Sequence, residues 1–183
     1  MNSANPATNR LLAGLRFAVV ALLLMAAAQA RADGSLEYAV KATYLYKFAP
    51  FVEWPAAAFA SADSPITICV SGNDPFGALL DRATADQRVD GRSIAVHHIA
   101  SATADSGCHI LFIGDSVSQA LDAVRGQPVL TVTDDAPGSH GIINFVIRDG
   151  KVRFEIDSDA AAQNHLVISS KLLNLGYRPG QAN

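Results

Sequence analysis

Charge is scarce in this chain. Of its 183 residues only 17% are Asp, Glu, Lys or Arg, while 50% are hydrophobic. That balance excludes a disordered segment, which needs few apolar residues and many charges. Clustered positive charge is missing too: 14 Lys and Arg stand against 17 Asp and Glu, a net charge of −3. With no basic run to track phosphates, nucleic acid is excluded as a partner. No apolar run reaches the ~20 residues that a membrane-spanning helix requires.

The motifs of catalysis and cofactor binding are absent as well. Gly72 and Gly77 have the outer spacing of a phosphate loop, but no Lys-Ser or Lys-Thr pair follows, and no G-x-G-x-x-G occurs. Asp74 would repel an anion at that turn, and Pro75 lacks the N–H that would hold one. The five histidines, His97, His98, His109, His140 and His165, show no metal-ligand spacing. His97 and His98 are neighbours on an expected strand and point to opposite faces, so they cannot chelate together. There is no G-x-S-x-G elbow. Ser139-His140 and Asp134-Asp135 sit in glycine- and proline-flanked turns, where such residues are ordinary. The expectation is no catalytic site, no metal and no cofactor.

What is present begins with an address. Arg10 and Arg16 precede an unbroken apolar run of 12 residues, Phe17 to Ala28, and Ala28-Gln29-Ala30 follows. A charged start, a short apolar stretch and a small-x-small site predict a cleaved Sec-type signal peptide over 1–30. Cleavage is expected after Ala30 or Ala32, and no cysteine near it suggests a lipoprotein. Loss of Arg10 and Arg16 leaves 12 basic against 17 acidic residues, a net charge of −5. The expected location is the periplasm, with 31–183 as one domain.

Along that domain, Ser35–Phe51 has a helical apolar period at Leu36, Val40, Tyr44, Phe48 and Phe51, ended by Pro50. Ile66–Val70 predicts a strand, and Asp74 with Pro75 starts a helix over Phe76–Ala83. Strands are expected at Arg92–Ile99, His109–Ile113 and Pro128–Thr133, with a helix near Val117–Val124 between the last two. Asp149-Gly150 joins Ile142–Arg148 to Lys151–Ile156 as a hairpin. A helical segment near Asp159–Asn164 follows, and Ser169 caps a last helix ending at Gly176. The pattern predicts a single α/β domain: a mixed sheet, parallel in its core and antiparallel at its C-terminal hairpin, flanked by helices.

Cysteine is reduced to one pair, Cys69 and Cys108, 39 positions apart. Both fall on strands expected to be neighbours, and an exported chain with an even cysteine number predicts a disulfide. Closing a loop of that length is worth roughly 4 kcal/mol by chain entropy.

Several stretches together resemble the YfiR-like family of periplasmic proteins. They are Val40–Phe48 running into Phe51-Val52-Glu53-Trp54-Pro55, Ile66–Gly72 with Asp74-Pro75-Phe76, and Cys108–Ile113. Ile142–Phe145, Val152–Ile156 and Leu166–Leu173 complete the set. The chain departs from familiar members at Pro50, where a polar residue is usual, and in lacking a second cysteine pair in the C-terminal hairpin. The resemblance implies a repressor that binds the periplasmic region of an inner-membrane diguanylate cyclase and lowers cyclic-di-GMP signalling. It further implies sequestration by an outer-membrane, peptidoglycan-associated lipoprotein, and it leaves a homodimer open. The alternative is a periplasmic module that binds a small ligand near Trp54. For the partner surface, apolar residues rimmed by charge nominate Glu155, Leu166, Ile168 and Lys171, with Trp54 and Phe59 as a second surface. The opening helix, apolar also at Tyr38, Leu45 and Val52, is expected to pack on the sheet.

Overall fold

A computed structural model describes residues 34–136 and 138–178. The expected signal peptide and its cleavage positions lie outside the described residues. By its contacts the chain divides into two compact units, Met1–Glu37 and Tyr38–Asn183. The second holds all the strands described below.

Seven strands form the main sheet: β2 (Ile66–Ser71), β3 (Arg88–Val89), β4 (Arg92–Ile99), β5 (Ile110–Ile113), β6 (Leu130–Asp134), β7 (Ile143–Arg148) and β8 (Lys151–Ile156). Their spatial order is β3-β4-β2-β5-β6-β7-β8. The central five run parallel, while β3 and β8 pair antiparallel at the two edges. The mixed α/β sheet expected from the sequence is therefore present. The β7–β8 hairpin turns through Asp149 and Gly150, both with positive φ, which is why this dipeptide marks the turn. A second small sheet joins β1 (Val52–Glu53) to β9 (Val167–Ile168).

Alternation along the strands builds a core on each face. Ile68, Val70, Ile110, Phe112, Leu130 and Val132 face one way. They pack with α1 (residues 34–48), α2 (Ala78–Thr84), α4 (Ser158–Gln163) and α5 (Ser170–Leu175), through Leu45, Leu80, Ala161 and Leu172 among others. Cys69, Leu111 and Ile113 face the other way, against α3 (Val117–Ala123).

Three local expectations need correction. The buried stripe of α1 is Ala42, Leu45, Phe48 and Ala49, while Leu36 and Val40 are exposed. Lys41 shares that buried stripe, so a lysine disguised the true face. Pro50 ends the α-helix as expected, but as part of a tight 3-10 turn over Ala49–Phe51. Finally, α2 starts at Ala78. Asp74 accepts hydrogen bonds from the Phe76 and Gly77 N–H groups (2.8 and 3.2 Å), closing a turn, and Gly77 at φ 48 delays the helix by a further step. Ser169 caps α5 as expected, accepting from the Leu172 N–H.

Candidate partner-binding surface

Cross-strand pairing places the two nominated surfaces side by side. Val52 lies opposite Ile168 and Glu53 opposite Val167, and the Ser169 N–H donates to the Phe51 carbonyl. The chain leaving α1 toward Trp54 and the C-terminal Leu166–Lys171 stretch thus form one structural unit.

Within it the nominated residues separate. Leu166 is buried and its N–H donates to the Ala161 carbonyl, so it belongs to the core. Ile168 is half-buried against the same core. Lys171 is exposed, and so is Leu175 four residues on, at 66%. One helical turn puts those two on the same side of α5. Val167, 59% exposed, projects away from Leu166 and Ile168 as strand alternation requires. The sequence reading passed over it, although the alternation that buries its neighbours was the signal that exposes it. Glu53 paired with Val167, and Lys171 with Leu175 on α5, each set an exposed charge beside an exposed apolar side chain, the mixture found at protein interfaces.

Glu155 is elsewhere. Its strand neighbours Phe154 and Ile156 pack into the core that holds α4 and α5. Glu155 consequently points to the opposite face of the sheet, where Arg148 lies 3.9 Å away. One flat docking surface therefore does not contain both Glu155 and Lys171. Glu155 lines a separate groove of about 380 Å³ with His140, Tyr177 and Arg178.

Trp54 and Phe59 are half-buried and locked around His109. Phe59 stacks on the imidazole at 4.4 Å between centroids, and the Trp54 ring meets it edge-on at 6.2 Å. The imidazole Nδ1 accepts from the Thr67 N–H (3.0 Å), which leaves Nε2 to donate to the Ala58 carbonyl (3.1 Å). Burial, with the positive charge of Arg92 nearby, pushes the pKa of His109 below its ordinary 6.5, against the opposing pull of the Ala58 carbonyl. Arg92 stands 4.0 Å from the Phe59 ring centroid and donates to the Ser61 and Ser64 carbonyls. One residue before His109, Cys108 is joined to Cys69, with 5.7 Å between Cα atoms. The expected disulfide is present. Among the described residues no cluster of His, Cys, Asp or Glu could hold a metal ion, and no helix is long and apolar enough to cross a membrane.

Residues 38–177 match the YfiR/HmsC-like family. The chain belongs to that family. The match spans the second compact unit from its first residue to Tyr177, so Glu53, Val167, Lys171 and Leu175 all lie within it. No curated protein matches the chain. Membership in the YfiR/HmsC-like family suggests a periplasmic regulator of diguanylate cyclase activity, and it is not a known family of enzymes.

Proposed function

We propose that this YfiR/HmsC-like protein binds the periplasmic sensor region of an inner-membrane diguanylate cyclase and holds it inactive, lowering cyclic-di-GMP. Export by the 1–30 signal peptide, cut after Ala30 or Ala32, delivers it to that compartment. An outer-membrane, peptidoglycan-associated lipoprotein that sequesters it would lift the repression. The observation that carries the reading is the family match over residues 38–177, which hold every strand described.

Repression requires a surface that favours one sensor conformation, since equal affinity for both shifts nothing. The Val167, Lys171 and Leu175 patch beside Glu53 is the surface we assign to that contact. All four side chains are exposed, so replacing them leaves the core intact. The test is intracellular cyclic-di-GMP in strains carrying Val167→Glu or Lys171→Glu, with the envelope level of each variant measured alongside. Cyclic-di-GMP should rise at normal protein abundance. If both variants repress fully, the contact lies elsewhere, and Glu155→Ala tests the opposite face. Capture of the purified chain's partners from its own envelope fraction identifies the cyclase directly.

A further inference from the structure

Numbered by appearance, the five parallel strands lie in the order 2-1-3-4-5. After β2 the chain moves to one side and forms β4, then returns to the other side for β5, β6 and β7. The strand order therefore reverses between β2 and β5, and the crevice lies beyond the carboxyl ends of these strands, above the point where their two loops meet. In open α/β sheets this is the position where ligands bind.

A cavity of about 420 Å³ occupies that position here, within the range of small-molecule sites. Its walls come from the β2 loop (Asn73, Pro75), from β5 and the start of α3 (Phe112, Val117, Ser118), and from the end of β6 (Asp134, Asp135). Close approach of the two loops keeps the base of the crevice narrow. A Cβ on Gly114 would stand 1.7 Å from the Asn73 carbonyl oxygen, so only glycine fits there.

The chemistry of the walls selects a ligand class. Pro75 and Val117, both half-buried, offer an apolar surface beside the buried Phe112. The Asn73 side-chain carboxamide, the Ser118 hydroxyl and the Asp135 carboxylate make no hydrogen bond or ion pair with other described residues, while the Asn73 backbone N–H donates to Asp115. Asp134 is different. Residues 130, 132 and 134 share the face of β6 that packs on α1, and Asp134 ends that row. There the Lys41 ammonium meets both of its carboxylate oxygens, at 2.6 and 2.7 Å. Lys41 is 1% exposed, so its charge is committed inside the fold. An anion entering the crevice would thus face Asp135 with no basic side chain among the cavity's lining residues to receive it.

The geometry points to this crevice as a binding site for a small amine carried on an apolar or aromatic body. The ammonium pairs with Asp135 and the body lies against Pro75 and Val117. The site is independent of the cyclase contact, because none of Glu53, Val167, Lys171 or Leu175 lines it.

The test uses one aromatic body with three heads: tyramine, 4-ethylphenol and 4-hydroxyphenylacetate, each titrated by calorimetry into the purified chain. Tyramine should bind at least about tenfold more tightly than 4-ethylphenol, the size of one charge-assisted hydrogen bond. The carboxylate should not bind. Asp135→Asn, which suits a residue at φ 44, should erase the tyramine advantage and leave 4-ethylphenol unchanged. Ser118→Trp, an exposed position, should fill the crevice and remove both. Equal affinity for the three heads overturns the assignment, as does an unaltered tyramine affinity in Asp135→Asn or no binding of any probe. Partner capture by the unliganded chain reads the cyclase contact separately.

Discussion

The two ends of the central strands are built to opposite plans. At the amino ends of β2 and β5 the structure is closed by a disulfide, a doubly hydrogen-bonded imidazole, two aromatic rings and an arginine tied to two carbonyls. At the carboxyl ends lies a cavity where the side chains of Asn73, Ser118 and Asp135 make no hydrogen bond or ion pair with other described residues. The same two strands end in a clamp on one side and a receptive opening on the other. Polar groups that satisfy each other hold a fold together, while those left facing a cavity are available to something else.

The largest effect should come from opening the clamp. Replacing both Cys69 and Cys108 with serine should cost about 4 kcal/mol, read from urea denaturation of the oxidised parent and the variant. A loss under about 1 kcal/mol would mean that the rest of the closed end already restricts the unfolded chain's relevant contacts. At the open end the strongest fixed element is the Lys41–Asp134 pair. Lys41→Met should cost about 3 kcal/mol, because it leaves a part-buried carboxylate without its cation. Gly114→Ala should follow at roughly 1–3 kcal/mol, since the new methyl displaces the Asn73 backbone. Unlike the cysteine replacement, it should also narrow the crevice and weaken tyramine binding.

Acid sharpens the comparison further. Because burial holds the His109 pKa below 6.5, the folded chain refuses a proton that the unfolded chain accepts below that pH. This contribution to stability is complete above 6.5 and is lost as the pH falls, until the folded imidazole itself titrates. Denaturation midpoints should therefore decline on acidification, with hydrogen exchange rising first at the Thr67 amide. His109→Gln, able to accept from Thr67 and donate to Ala58, should flatten that part of the pH dependence. The smallest effect belongs to the surface. Glu155→Ala should change stability by no more than about 0.5 kcal/mol, its partner Arg148 being a solvent-exposed cation.

Much of the sheet was legible because long strands and their turns carry strong local signals. The alternating run Lys151–Ile156 after Asp149-Gly150 and the apolar run Ile66–Val70 after Pro65 needed no tertiary context. Strands β1, β3 and β9 did not show, since two residues have no period to read. The face of α1 was misread for a physical reason: Lys41 looked like a solvent residue until Asp134, 93 positions away, supplied its counter-charge. The candidate surface was half legible. Apolar character marked Leu166 and Ile168, yet it could not say that the first closes the core while Val167 between them meets solvent. Glu155 and Lys171 seemed joinable in sequence, and only the alternation of β8 against the core separates them.

One consequence follows from the chain's having a single tryptophan. Trp54 is set in the closed end with its indole N–H buried and, among the described residues, without a hydrogen-bond partner, 6.2 Å from the His109 ring. An indole without that bond emits toward the blue, and a protonated imidazole at such range drains its excited state. The protein's intrinsic emission is accordingly a one-site optical readout of the clamp, with no label to attach and no second fluorophore of its kind to subtract.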